Sequence, residues 1–314
     1  MDCFFVRQEG IAKERKPKKI LFQKKSFLLQ KKRCASVERG VWENIEQRRH
    51  TMQNITDSWI SNTIGCSIIQ ELFADAARNV PEAYSSYPWN YPGLNHGTAV
   101  LTDNVQLDCY VHAYGRMHVY KMWKALESLP LDALKDGFEI VDWGCGQAIA
   151  SLTLLAWLEK KCPEFATPHK VTLLDLSEVA LYRAKSLVER RLLGQSVDIE
   201  AVSTDLGAAI CAEEARKHSA PVVVHLLSNI IDVQSVRKPA IAEAINASAS
   251  RHYVVCVGHH ATKVDADSFQ GLLDAHGVQL LHRENVQYGA ILNTGKLFGW
   301  DITIMQCKSV AMAA

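Results

Sequence analysis

From Phe138 onward the chain alternates short apolar runs with helix-like segments, and this alternation limits the possible folds more than any other feature of the sequence. The runs fall at 138–143, 170–176, 197–203, 221–228, 251–257, 278–283 and 297–306. Helix-like segments fill 147–161, 178–193, 207–218, 237–249 and 265–276. Strands that keep giving way to helices need crossover connections, hence parallel pairing and a sheet covered on both faces. Only the last two runs are joined by a loop, VQYGAILNTG, which suits a hairpin and a reversed final strand. The pattern predicts an α/β, doubly wound, mostly parallel seven-stranded sheet of Rossmann-like architecture. Its last strand is antiparallel, and a helical extension precedes it.

That extension shows a different period. Ile60, Ile64, Ile68, Leu72 and Ala76 recur every four residues and predict a helix over 53–80. The stretch PEAYSSYPWNYPGLNHGT is too rich in Pro and Gly to continue it, and reads as a substrate lid or a packed connector. Leu107, Tyr110, Val111, Tyr114, Met117, Met122, Ala125, Leu126 and Leu129 predict a second helix over 106–129, closed by Pro130. Three divisions follow: a basic, flexible segment over 1–51, a helical and aromatic extension over 52–130 that forms a cap or substrate region, and a ligand-binding domain over 131–314.

Charge separates the first division from the rest. The whole chain has 35 Lys+Arg against 34 Asp+Glu, yet residues 1–51 alone hold 14 basic and six acidic side chains. A head of +8 thus precedes a body of −7. Lys and Arg interleaved with apolar residues over 13–33 fit contact with nucleic acid or an anionic surface, through counterion release and surface potential. A solvated tail, or a product that starts at Met52, fits the same composition. No apolar run is long enough for a transmembrane helix, and no secretory signal opens the chain. The nine cysteines include no C-x-x-C pair, and the twelve histidines show no zinc-ligand spacing. The expectation is a cytoplasmic protein with reduced thiols and no metal.

The chemistry concentrates at the ends of the early strands. In EIVDWGCGQAIA an apolar run ends in Asp142 and passes through Gly144, Cys145 and Gly146 into a helix. Glycines there permit a tight turn and let a ligand approach the backbone. Asp175 closes the next run and is placed to grip a ribose; Leu176 follows it. Asp205 and Leu206 follow the third run, the acid suited to an exocyclic amine and the leucine to a base face. In an open α/β sheet ligands collect at this carboxyl edge, near the topological switch point. Each residue also has a purely local use: Ser177 after Asp175 has the form of a helix N-cap.

In this ordered set the chain resembles the class I S-adenosylmethionine-dependent methyltransferases, over about residues 106–307. The resemblance rests on VDWGCGQA, Asp175 and Asp205. It implies S-adenosyl-L-methionine as cofactor, methyl transfer as the activity, and cofactor contacts from Asp142, Gly144, Cys145, Gly146, Asp175, Leu176, Asp205, Leu206 and Ser228. Gln147 stands where many members have another glycine. The fourth strand of such proteins faces the methyl group; here it ends in SNIID, which nominates Asn229 and Asp232 to align an acceptor or take its proton. The absence of an Asp/Asn-Pro-Pro-aromatic motif argues against adenine or glutamine amines as acceptors. His259, after the fifth run, is a candidate base. Tyr114 and His118 either cover the cofactor or pack the core. Two alternatives are a catalytically inactive binding module on the same fold, or an NAD-dependent oxidoreductase. The second is weakened because Ile149 interrupts the G-x-G-x-x-G fingerprint. The acceptor is left open: a small molecule, a protein or a nucleic acid.

Overall fold

The structure is a computed structural model and describes residues 59–85, 88–207, 218–246, 250–259, 263–275, 277–289 and 298–307. The basic segment over 1–51 and most of the helix expected at 207–218 lie outside the described residues.

The sheet order is β3-β2-β1-β4-β5-β7-β6. Its parallel part comprises β1 (Phe138–Trp143), β2 (Lys170–Asp175), β3 (Asp198–Ser203), β4 (Val222–Ser228) and β5 (Arg251–His259). β7 (Phe298–Cys307) runs antiparallel to both β5 and β6 (Val278–Gly289). β1 is buried at all six positions, β4 at its first six and β5 from His252 to Gly258, so their near-continuous apolar runs reflect burial on both faces. Strand order reverses between β1 and β4, which lie side by side although β2 and β3 intervene in the chain. The carboxyl ends of β1 to β5 therefore form one continuous edge with a switch point at its centre.

Alternate side chains of each strand enter different cores. Ile140 on β1 and Val224 and Leu226 on β4 pack with helices α3 (Arg116–Leu126), α4 (Ile149–Lys161) and α5 (Glu178–Arg191). Val141, Trp143, Val223 and Leu227 pack instead with α6 (Lys238–Asn246) and α7 (Lys263–Asp274). The second face also buries a polar group. Burial alone would raise the Glu139 carboxyl, but hydrogen bonds from His218, Ser219 and Ala220 hold it at about 2. His225 and His252 join ring to ring at 2.8 Å beside it, and Trp143 Nε1 donates to His225 Nδ1.

The extension shares the first core, and its first helix departs from the expected continuous run. Gly65, with φ of +65°, closes a π-turn at Ile60–Ile64 before α1 (Ser67–Asn79) begins. The second helix is continuous: α2 (Asn104–Tyr110) passes through a π-helical segment at Val111–Gly115 into α3 with right-handed helical backbone at each junction. Gly115 packs where a Cβ would lie 2.8 Å from the Phe73 ring, which draws α1 against this turn. No described helix is long and apolar enough to cross a membrane.

Candidate functional site

The turn after β1 is shaped by three left-handed residues. Gly144, Gly146 and Ala148 have φ of +62°, +52° and +58°. The two glycines serve different needs. A Cβ on Gly144 would stand 2.7 Å from Ile230 Cγ2, so this position must be small for the turns after β1 and β4 to pack together. A Cβ on Gly146 would meet nothing within 4 Å, so its outer flank is open. Cys145 is buried, its N–H donates to Leu174 O, and burial pushes its thiol up, which makes it a packed side chain rather than a nucleophile.

Three acids stand at the ends of adjacent strands, in very different surroundings. Asp142 is fully buried, and its Oδ2 accepts from Ser151 N and Oγ at 3.2 and 2.7 Å. Sequence reasoning gave it a ligand; the structure first gives it the task of tying β1 to the opening turn of α4. Its Oδ1 is buried without a partner among the described residues, and burial raises the carboxyl to about 7. Asp175 accepts from Gly146 N and Ser177 N, both at 2.8 Å. Leu176 N adds a third backbone interaction to this carboxylate, which still has acceptor capacity. Asp205 is exposed, and its Oδ1 accepts from Gly207 N at 2.7 Å in a local turn. Leu176 is 48% exposed beside Asp175, while Leu206 is buried against Gly144. Ser177 also acts as the N-cap, accepting from Ala180 N, so the local use foreseen for it coexists with the site.

Gln147, the departure from the usual glycine, is buried. Its amide donates to Leu107 O at 2.9 Å and accepts from Arg183, which also holds Asp108 and Asn104. The glycine turn is thus fastened to α2 of the extension. α2 and the π-turn bring Tyr110 and Tyr114 to the same end of the sheet, where Tyr114 stacks on His118 and Tyr110 meets His118 edge-on. Burial, with Asp175, Tyr114 and Asp232 adding to it, pushes the Tyr110 hydroxyl up.

The far half comprises the ends of β4 and β5. Asn229 has φ of +58°, an unfavourable conformation for a residue with a Cβ, and its N–H donates to Val257 O at 2.7 Å. Its Nδ2 donates to Ser228 Oγ at 3.0 Å, and its Oδ1 accepts from Lys121. Asp232 and His259 are exposed. Lys121 and Tyr110 are the functional candidates that sequence reasoning missed. Lys121 carried a signal, because it lies one turn from both Met117 and Ala125 and so inside the buried stripe of α3.

Among the described residues, no group of three or more His, Cys, Asp or Glu is arranged to hold a metal ion. No family model matches the chain, and no curated protein matches it. Solved structures do. The chain is similar to an arsenic(III) S-adenosylmethionine methyltransferase from Chlamydomonas reinhardtii, with 14% identity over 61% of this chain and 74% of that one and a TM-score of 0.39. It is similar to magnesium protoporphyrin IX methyltransferase from Synechocystis PCC 6803 with bound S-adenosylmethionine, with 16% identity over 70% and 93% and a TM-score of 0.39. It is also similar to the [4+2]-cyclase SpnF, with 16% identity over 63% and 82% and a TM-score of 0.39. Likeness at this level carries no functional argument, so the chemistry has to be read from the chain's own side chains.

Proposed function

We propose that the carboxyl edge of β1, β2 and β3 binds S-adenosylmethionine and that the chain is a methyltransferase acting on an unidentified acceptor. One observation carries this: the open flank of Gly146 lies beside Asp175, a carboxylate fixed by backbone N–H groups and with acceptor capacity left over. A ribose hydroxyl suits that acceptor. The exposed Leu176 offers an apolar face next to it, and exposed Asp205 accepts from an exocyclic amine. The unpartnered Oδ1 of Asp142 leaves a buried acceptor oxygen behind the glycine turn. Gly144 and Gly146 let the ligand lie against the backbone.

When bound, this cofactor supplies an electrophilic methyl group whose carbon–sulfur bond breaks toward sulfur as an acceptor lone pair takes the carbon. The chain's own contribution is positional. Tyr110, Tyr114 and His118 cover the edge and exclude water, Ser228 and Asn229 orient the acceptor, and Asp232 and His259 are available to take a proton at the exposed rim. Calorimetric titration of the full chain with S-adenosylhomocysteine tests the site. Binding in the micromolar range or tighter is expected, and neither heat nor a thermal shift would end the reading. A parallel titration with NAD tests the dinucleotide alternative. Transfer of labelled methyl to a lysate component separates an enzyme from an inactive binding module.

A further inference from the structure

The acceptor end of the edge contains a cation held in an unusual way. Lys121 is 1% exposed, and its ammonium donates to Asn229 Oδ1 and, at 3.4 Å, to Gly258 O. Its described hydrogen-bond partners are thus an amide oxygen and a carbonyl, with no carboxylate among them. Burial lowers this amine to about 7 and the Asp232 carboxylate partly offsets that, so its ammonium form belongs to pH below about 7, and a lysine at such a point marks a functional candidate.

The contact also fixes the amide. An ammonium has donors only, so the atom of Asn229 that faces it is the oxygen. The amide nitrogen then points the other way, toward Ser228 Oγ. The backbone leaves no slack, because Asn229 is locked in a left-handed conformation by its bond to Val257 O. One amide N–H is committed to Ser228 Oγ, and the second is the donor that the end of β4 offers beside the buried Lys121.

We propose that Lys121 is a positioning residue that fixes Asn229 as a hydrogen-bond donor at the acceptor end of the site. The site would then take acceptors that bring a lone pair or negative charge there, such as a carboxylate, enolate or phenolate oxygen, and disfavour ammonium-bearing ones. The inference rests on the cofactor reading above and deepens it by naming the acceptor class.

Two cofactor analogues probe this without an identified acceptor. S-adenosylhomocysteine is neutral at sulfur, whereas sinefungin carries a primary ammonium in place of the transferable methyl. Both are titrated calorimetrically into the full chain, Lys121→Arg, Lys121→Met and Asn229→Asp. The wild type and Lys121→Arg are expected to favour S-adenosylhomocysteine. Lys121→Met and Asn229→Asp should each shift the ratio toward sinefungin by about tenfold, equivalent to about 1.4 kcal/mol. A structural role alone would weaken both ligands together and leave the ratio unchanged. An unchanged ratio in Lys121→Met and Asn229→Asp, with binding intact, overturns the role of Lys121 and spares the cofactor site. Failure of the wild type to bind either ligand overturns both. Should Lys121→Met not fold, Asn229→Asp still decides, since it keeps a partner for the ammonium.

Discussion

The two halves of the ligand edge are built in opposite ways. At the ends of β2 and β3 the acids take bonds from their own neighbourhoods, Asp175 from Ser177 N and Asp205 from Gly207 N, with one longer-range bond to Asp175 from Gly146 N on the adjacent strand's turn. At the end of β4 the polar geometry comes from a distance, because the side chain that fixes Asn229 is Lys121, 108 residues earlier. The first half is a set of local turns that the sheet places side by side. The second exists only once α3 has packed across β5 and β7. A local turn tolerates change elsewhere, whereas a long-range contact fails as soon as either partner moves.

The largest expected effect falls in the local half. Asp175→Ala removes the acceptor for Gly146 N and Ser177 N together with the proposed ribose contact. Affinity for S-adenosylhomocysteine should fall by about a hundredfold or more, or about 2.7 kcal/mol, measured by calorimetry. Retained affinity would show that the ligand lies elsewhere.

The two glycines sharpen the comparison by separating packing from binding. Gly144→Ala drives a Cβ into Ile230, which belongs to the other half, and should cost about 1–3 kcal/mol of stability in denaturant unfolding. Gly146→Ala meets open space and should cost about 1 kcal/mol through its positive φ, while reducing cofactor affinity more than Gly144→Ala does once both are folded. Equal stability losses would mean that Ile230 does not couple the halves.

Next in size is a pH response with opposite signs on the two sides. Burial raises Asp142 from 3.8 to about 7, so its contribution to stability is full below the ordinary carboxylate range and is lost as pH rises toward 7. Burial lowers Lys121 from 10.5 to about 7, so its contribution is lost as pH falls toward 7 and recovers as pH rises from 7 toward 10.5. Asp142→Asn should flatten the first limb of the stability profile and Lys121→Met the second, both read by unfolding at stepped pH. If either variant keeps the wild-type limb, the charge assigned to that half is wrong.

The smallest effect is expected from Ser177→Ala. It removes the N-cap of α5 and the hydroxyl that donates to Leu101 O, at a cost of about 1 kcal/mol seen in thermal melting, with cofactor affinity nearly unchanged because Ser177 N still reaches Asp175. A large loss of affinity would show that even the local half depends on the extension.

How much of this was legible follows the same division. The bounds expected for β1 match the structure residue for residue, and those of β2, β3 and β4 differ by a residue at one end; burial makes the runs of β1, β2 and β4 apolar, whereas β3, the sheet's edge, has no buried position. The acids and glycines were legible as residues at strand ends. Their surroundings were not: nothing in the local sequence shows that Asp142 turns inward to Ser151, or that Gly144 is required by Ile230. The helix expected over 106–129 is present as a continuous helical run over 104–126; the sequence did not show its π segment at Val111–Gly115, where Gly115 packs close to Phe73 of another helix.

The sequence alone determined the strand–helix alternation, the glycine turn after β1 and the acids at the ends of successive strands, because all of these depend on residues within a few positions of one another. The tertiary structure decided which acids remain available to a ligand, that Gln147 fastens the turn to α2, and that Lys121 governs Asn229. Those outcomes depend on burial and on contacts between elements as far as 108 residues apart, and no periodicity or spacing along the chain encodes them.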